Sequence, residues 1–249
     1  MKNIKHPYGN FKSSVLKLFK KFLQNLIKFF VNFFCKLDVN DEIIISSATH
    51  CPWLKDKNFY SFFKEIKNFT LLDYPRAYTL WQCSKSVRKL NGMILDIGCL
   101  LGGSGFIMSK VNDNGKIHLF DSFEGFKKND GLHKKDVFYY NDINFVKRNI
   151  SKLKLKNTYV HKAYFPNKIK TKIRKVKLCH IDVNTYEDTK KVFNYIKNKV
   201  IKGGIIIFDD FGIWGVDGIK KFIYEIESKY SKNFYFIKNY MGQCILIKK

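Results

Sequence analysis

The 249-residue chain predicts an α/β fold: a seven-stranded, mostly parallel sheet ending in an antiparallel hairpin, with a helical extension in front. Three observations predict it. Apolar runs alternate with helical patterns from residue 76 to residue 229. Two of the runs, 177–182 and 203–209, end in carboxylates and read as buried strands that carry Asp to their tips. The last two runs, 233–239 and 243–248, flank Asn239-Tyr-Met-Gly242, which reads as a hairpin turn.

The elements follow in order. Residues 14–35 place Val15, Leu18, Phe19, Phe22, Leu23, Leu26, Phe29, Phe30 and Phe33 on one helical face. Lys17, Lys20, Lys21, Gln24, Asn25, Lys28 and Asn32 fall on the other, an amphipathic pattern suited to a protein partner or an anionic membrane surface. Lysines interrupt the apolar residues too often for a spanning helix, and no secretory signal is evident. The segment 1–60 is taken as an extension and 61–249 as the catalytic domain. Within the latter, helix 76–89 precedes strand 92–97, helix 104–111 and strand 116–121. A loop at 124–135, rich in Lys, Asp and Gly, has the length of a lid. Helix 138–154, strand 158–163, a short helix near 165–173 and strand 176–182 come next. Helix 186–199, strand 203–209 and helix 217–229 lead into the hairpin.

Chemistry gathers at the strand tips, where open α/β sheets bind ligands. Asp182 and Asp209 lie 27 positions apart, room for one helix and a turn, so their strands are expected to be neighbours. Asp182, Asp209 and Asp210 would then converge and repel one another unless a cation sits between them. Oxygen-only ligands favour a hard divalent ion such as Mg²⁺. Upstream, Met93-Ile-Leu-Asp96-Ile-Gly98 runs into Gly102-Gly103-Ser104-Gly105, a strand, a glycine turn and a helix start able to approach an anion closely. Nucleotide, dinucleotide and S-adenosylmethionine sites share this pattern. The order D-x-G-x-x-x-G-G is not the dinucleotide G-x-G-x-x-G, and the Lys-Ser/Thr pair of a P-loop is missing. Asp121 ends the next strand, where an acid suits a ribose diol.

Several of these segments resemble the macrocin/mycinamicin (TylF-type) O-methyltransferase family. Asp121-Ser-Phe-Glu-Gly125 is similar to its D-S-F-E-G signature, and Gly102-Gly103-Ser104 to its G-G-S turn. Asp182-x-Asn184-x-Tyr186 resembles its D-x-D-x-Y motif, with Asn in place of the second acid. The segment from Gly203-Gly204 to Asp209-Asp210 resembles its G-G-x-x-x-x-D-D, and Arg76-Ala-Tyr78-Thr-Leu80 its R-x-Y-x-L. The resemblance implies a class I methyltransferase (Rossmann-like) fold that uses S-adenosylmethionine and Mg²⁺ to methylate sugar hydroxyls. It implies that Asp96, Gly98, Gly102, Gly103 and Ser104 surround the cofactor's amino-acid part. Asp121 is then expected at the ribose, Ser122 and Phe123 at the adenine edge, and Arg76 at the methionine carboxylate or the acceptor. Asp182 is expected as catalytic base and metal ligand, with Asp209 and Asp210 as further ligands. His180, deeper in its strand, is the rival base and reads better as a hydrogen-bonded core residue.

Composition agrees with a globular enzyme. Hydrophobic residues make up 45% of the chain, enough for a substantial core. The net charge of +25 is spread along the whole chain as Lys, without a recognition helix or zinc pattern, so no nucleic-acid partner is expected. The six cysteines show no C-x-x-C spacing and read as reduced thiols of a cytoplasmic protein, peripheral at most at the inner membrane face. Expected partners are a sugar-containing small molecule or glycan precursor and a second copy of the chain. Two other readings stay open: a catechol-type O-methyltransferase, and a non-catalytic, membrane-associated assembly protein retaining the fold.

Overall fold

The computed structural model describes residues 11–35, 50–112, 114–126, 135, 137–140, 142–213 and 216–249. The chain divides into two compact units, Met1–His50 and Cys51–Lys249. In the first, α1 (Phe11–Cys35) is a single 25-residue helix. The second begins with α2 (Pro52–Lys55) and α3 (Lys57–Ile66), whose Phe59 and Ile66 are fully buried in its core. Asp56 starts α3 by accepting the Phe59 amide.

Next come α4 (Tyr74–Ser86), β1 (Met93–Ile97), α5 (Gly103–Val111), β2 (Ile117–Asp121), α6 (Ile143–Lys152) and β3 (Thr158–Lys162). They are followed by β4 (Val176–Ile181), α7 (Tyr186–Ile196), β5 (Val200–Phe208), α8 (Asp217–Tyr230), β6 (Phe234–Lys238) and β7 (Cys244–Lys248). The seven strands lie in the order β3-β2-β1-β4-β5-β7-β6. All pairs from β3 to β5 are parallel, and β7 runs antiparallel to both β5 and β6. The fold class read from the sequence is therefore the observed one. Buried residues of α3, α4 and α5 cover one face of the sheet, and those of α7 and α8 cover the other. Strand β4 is buried along its whole length, as a central parallel strand must be.

Where the structure differs from the sequence, the cause is local. No helix forms near 165–173. Pro166 steers Phe165 away from helical angles. Phe165 instead anchors a turn into the core, its ring 5.0 Å from that of Phe120. Helix α6 starts five residues later than expected, at the cap supplied by Asp142, which accepts the Phe145 amide. The loop expected as a lid lies, from 127 to 134, outside the described residues.

The sheet order places β1 and β4 side by side at its centre, with β2 on one flank and β5 on the other. Connections leave β1 toward one edge and β4 toward the other, so a crevice opens above these two tips. Gly98 and Asp182 follow directly on β1 and β4 there, and Asp209 follows β5.

Candidate active site

The turn after β1 is built by its glycines. Gly98 has φ +91 and Gly102 φ +94, angles that L side chains rarely adopt. A Cβ on Gly98 would strike the carbonyl oxygen of Asp182, so the two strand tips touch through backbone alone. Helix α5 then starts at Gly103, where a Cβ would run into the backbone carbonyl of Phe69.

Behind the turn lies a buried polar chain. Asp96 accepts from Ser104 Oγ at 2.7 Å and pairs with His180 Nδ1 at 2.8 Å. Asp96 and His180 are both completely buried. Burial opposes charge on His180, but the hydrogen bond and charge of Asp96, helped by Asp209 and Asp182, outweigh it and raise its pKa to about 9. The other ring nitrogen, Nε2, has no hydrogen-bond partner. Among the described residues, His180, Asp182 and Asp209 offer ligand atoms within 4.8 Å of one another.

The acids form a compact group. Asp209 Oδ2 accepts from Arg76 Nη1 at 2.7 Å, and its Oδ1 accepts from Gln243 Nε2 at 2.7 Å. Asp210 Oδ1 also accepts from Arg76, at 3.2 Å. Arg76 thus reaches from α4 across the crevice and bridges two carboxylates. Turned so that its nitrogen faces the acids, the Asn184 amide donates to Asp182 Oδ1 and to Asp210 Oδ2. Asn184 and Asp210 have left-handed backbones, at φ 58 and φ 59, a conformation that Asn and Asp tolerate. Burial raises the Asp182 pKa well above the usual carboxylate range, and Asp209 and Asp210 add to it. Burial and Asp209 likewise raise Asp210, to about 6, against the pull of Arg76. The acids repel one another, and Arg76 and His180 offset that repulsion in part.

Two cavities meet over these tips. One is lined by Gly98, Asp121 and Ser122 together with Phe120, Phe126 and Tyr164. The other holds Arg76, Gly103, Ser104, Asp209 and Asp210. Gly98, Leu100, Asp182 and Asn184 line both, and Leu71 and Phe138 close over both. Asp121 is tied in place by the amides of Leu100, at 2.8 Å to Oδ2, and Phe123, at 2.7 Å to Oδ1.

Most of the residues singled out from the sequence face this crevice. Asp96, Gly102 and Phe123 line neither cavity. Asp96 is consumed by Ser104 and His180, Gly102 turns the chain, and Phe123 is a core residue whose amide fixes Asp121. Arg76 bonds to Asp209 and Asp210 instead of standing free for a ligand carboxylate. Gln243 was not legible as a site residue, although a signal existed. An antiparallel last strand starts at the edge where its parallel neighbours end. His161 pairs with His118, Nε2 to Nδ1 at 2.9 Å, because β2 and β3 place the two rings on one face. Burial and the charge of His161 lower the His118 pKa to about 4. Cys51, Cys83, Cys99, Cys179 and Cys244 are free thiols.

Comparison with known proteins agrees with this fold. No curated protein matches the chain. Among solved structures, the O-methyltransferase NovP superposes with a TM-score of 0.63 at 18% identity, covering 73% of this chain and 82% of that one. The calicheamicin methyltransferase CalS11 gives 0.58 at 14%, covering 85% and 99%. An O-methyltransferase from Bacillus cereus, solved with SAH, gives 0.51 at 14%, covering 90% and 97%. At these identities the likeness concerns the fold. The sequence profile of the macrocin O-methyltransferase (TylF) family matches residues 67–231, which takes in the glycine turn, all three strand-tip acids and Arg76, and the chain belongs to that family.

Proposed function

We propose that this methyltransferase moves a methyl group from S-adenosylmethionine to a hydroxyl of a sugar-containing acceptor, with a divalent cation held by Asp182, Asp209 and Asp210. The observation that carries the reading is the meeting of the two cavities at Gly98 and Asp182. One has the features of a nucleoside site, an aromatic wall over a strand-tip acid. The other is an acid cluster. CalS11, with a similar fold, is described as a TDP-rhamnose 3′-O-methyltransferase, which supports a sugar acceptor.

The residues fit both groups. Asp121 suits the ribose diol, Gly98, Gly103 and Ser104 the amino-acid part, and Ser122 the adenine edge. Three carboxylates crowd together here, two of them, Asp182 and Asp210, with raised pKa values, which favours an added positive charge. The cofactor supplies an electrophilic methyl group, and a hard divalent ion, Mg²⁺ first among them, would orient the acceptor and acidify its hydroxyl. Asn184 occupies Oδ1 of Asp182, which leaves Oδ2 to take the acceptor's proton. Arg76 and Gln243 hold Asp209 in place. Leu71 and Phe138 form a rim that can exclude water. We place the reaction in the cytoplasm, in the building of glycans or glycosylated small molecules.

The test incubates the protein with isotopically methyl-labelled S-adenosylmethionine and a panel of nucleotide-activated sugars and simple catechols, read by mass spectrometry, with and without EDTA. Label on a sugar hydroxyl, lost in EDTA, is the expected result. Full activity in EDTA overturns the metal. Label on a catechol and on no sugar overturns the acceptor class.

A further inference from the structure

We propose that α1 is a membrane-surface helix that lies in the interface of an anionic lipid bilayer. Six of its phenylalanines, Phe19, Phe22, Phe29, Phe30, Phe33 and Phe34, are 48% to 73% exposed. Phe29, Phe30, Phe33 and Phe34 form a continuous aromatic strip, with ring centroids 5.2 to 6.5 Å apart. Leu18, Leu23, Leu26 and Ile27 extend the same exposed surface. On a helix of 3.6 residues per turn these side chains span about 180°. Lys21 and Lys28 lie on the opposite side, flanked by Gln24 and Asn25. No helix among the described residues is long and apolar enough to cross a membrane, so the apolar face is suited to lying along a surface.

Charge decides between a lipid surface and a second copy of the helix. The first 37 residues hold eight lysines and no acid. Two such helices joined through their apolar faces would crowd their lysines into one small bundle, with no carboxylate on either to offset them. A half-cylinder of apolar surface is also wider than the narrow stripe of a two-helix coiled coil. A bilayer rich in acidic headgroups answers both features at once. Its acyl boundary receives the phenylalanines, and its surface potential attracts the lysines. The catalytic reading and this one stand on different residues and can fail separately.

The experiment is flotation of the full-length protein with vesicles of phosphatidylcholine alone, or with about one third phosphatidylglycerol, at about 0.1 M and about 0.5 M NaCl. Binding is expected only to the anionic vesicles, weakened by the higher salt. The triple variant Phe22→Ser, Phe29→Ser, Phe33→Ser should bind at least about tenfold less. The charge variant Lys21→Gln, Lys28→Gln keeps the apolar face and should bind about tenfold less as well. Equal binding to both vesicle types overturns the proposal. So does undiminished binding by the triple variant, which would place the contact elsewhere on the cationic chain. A dimer in size-exclusion chromatography that falls to monomer in the triple variant, with no flotation by either protein, overturns it in favour of a second copy.

Discussion

Asp210→Asn should make the metal-free protein more stable at neutral pH and leave it nearly unchanged in acid. The Asp210 carboxyl has its pKa raised from the ordinary 3.8 to about 6. A raised acid pKa means that the folded chain holds its proton where the unfolded chain has released it. Stability therefore falls as pH rises from 3.8 to about 6 and stays lower above that window. At about 1.36 kcal/mol per unit, the full cost is about 3 kcal/mol. The side chain is 15% exposed and shares its repulsion with Asp182 and Asp209, so about 1–2 kcal/mol is the gain to expect from a neutral isostere. For a chain of this size that is a rise of about 2–8 °C in Tm. Asparagine also tolerates the left-handed backbone at this position. The assay is thermal unfolding in EDTA at about pH 8 and about pH 4, repeated with excess Mg²⁺. In Mg²⁺ the order should narrow or reverse, because the wild type gains binding energy that the variant lacks. A variant that melts below the wild type at pH 8 in EDTA, or that shows the same shift at both pH values, would falsify the idea that the carboxylates repel one another.

Four further outcomes follow from the same geometry. Asp182→Ala should lower kcat by at least about 100-fold while calorimetry shows S-adenosylmethionine affinity within about threefold of wild type; a variant keeping a tenth of its turnover removes Asp182 as the base. Asn184→Asp replaces the amide that donates to Asp182 and Asp210 with another carboxylate, so Tm in EDTA should drop by several degrees, measured by differential scanning fluorimetry. Gly98→Ala forces a Cβ into the Asp182 carbonyl at a positive φ and should cost about 3 kcal/mol or more, read by urea unfolding; a near-silent change would show that the two tips are not in contact. Cofactor binding should survive EDTA unchanged, since Gly103, Ser104 and Asp121 do not share ligands with the acid cluster, and calorimetry with and without chelator checks this.

The parts of the site that were legible in the sequence are those fixed by strand ends. Asp121, Asp182 and Asp209 each close an apolar run, and adjacency of β4 and β5 follows from the short link between them. The glycine turn was legible because only glycine takes the angles found at Gly98 and Gly102. What stayed hidden depends on long side chains and on contacts between elements far apart in sequence. The Arg76 guanidinium spans 133 positions to reach Asp209, and nothing in its neighbourhood on α4 announces that destination. Gln243 sits immediately before an antiparallel strand, which marks the right sheet edge but not the Asp209 oxygen that its amide reaches. Asp96 reads as a cofactor acid from its motif, but the motif does not say that Ser104 and His180 already occupy both of its oxygens. The absent helix at 165–173 has a simpler cause: Pro166 outweighs the apolar spacing around it.

The contact between Gly98 and the Asp182 carbonyl has a consequence for how this enzyme can diversify. The proposed donor pocket and the acid cluster share one backbone seam, so neither can be re-spaced by a point change without deforming the other. Tinkering with acceptor choice must then proceed at the rim, where Leu71 is 67% exposed and Phe138 37% exposed over both cavities. A directed-evolution library confined to the rim should yield new acceptors at intact donor affinity, whereas one aimed at the seam should yield mostly unfolded chains.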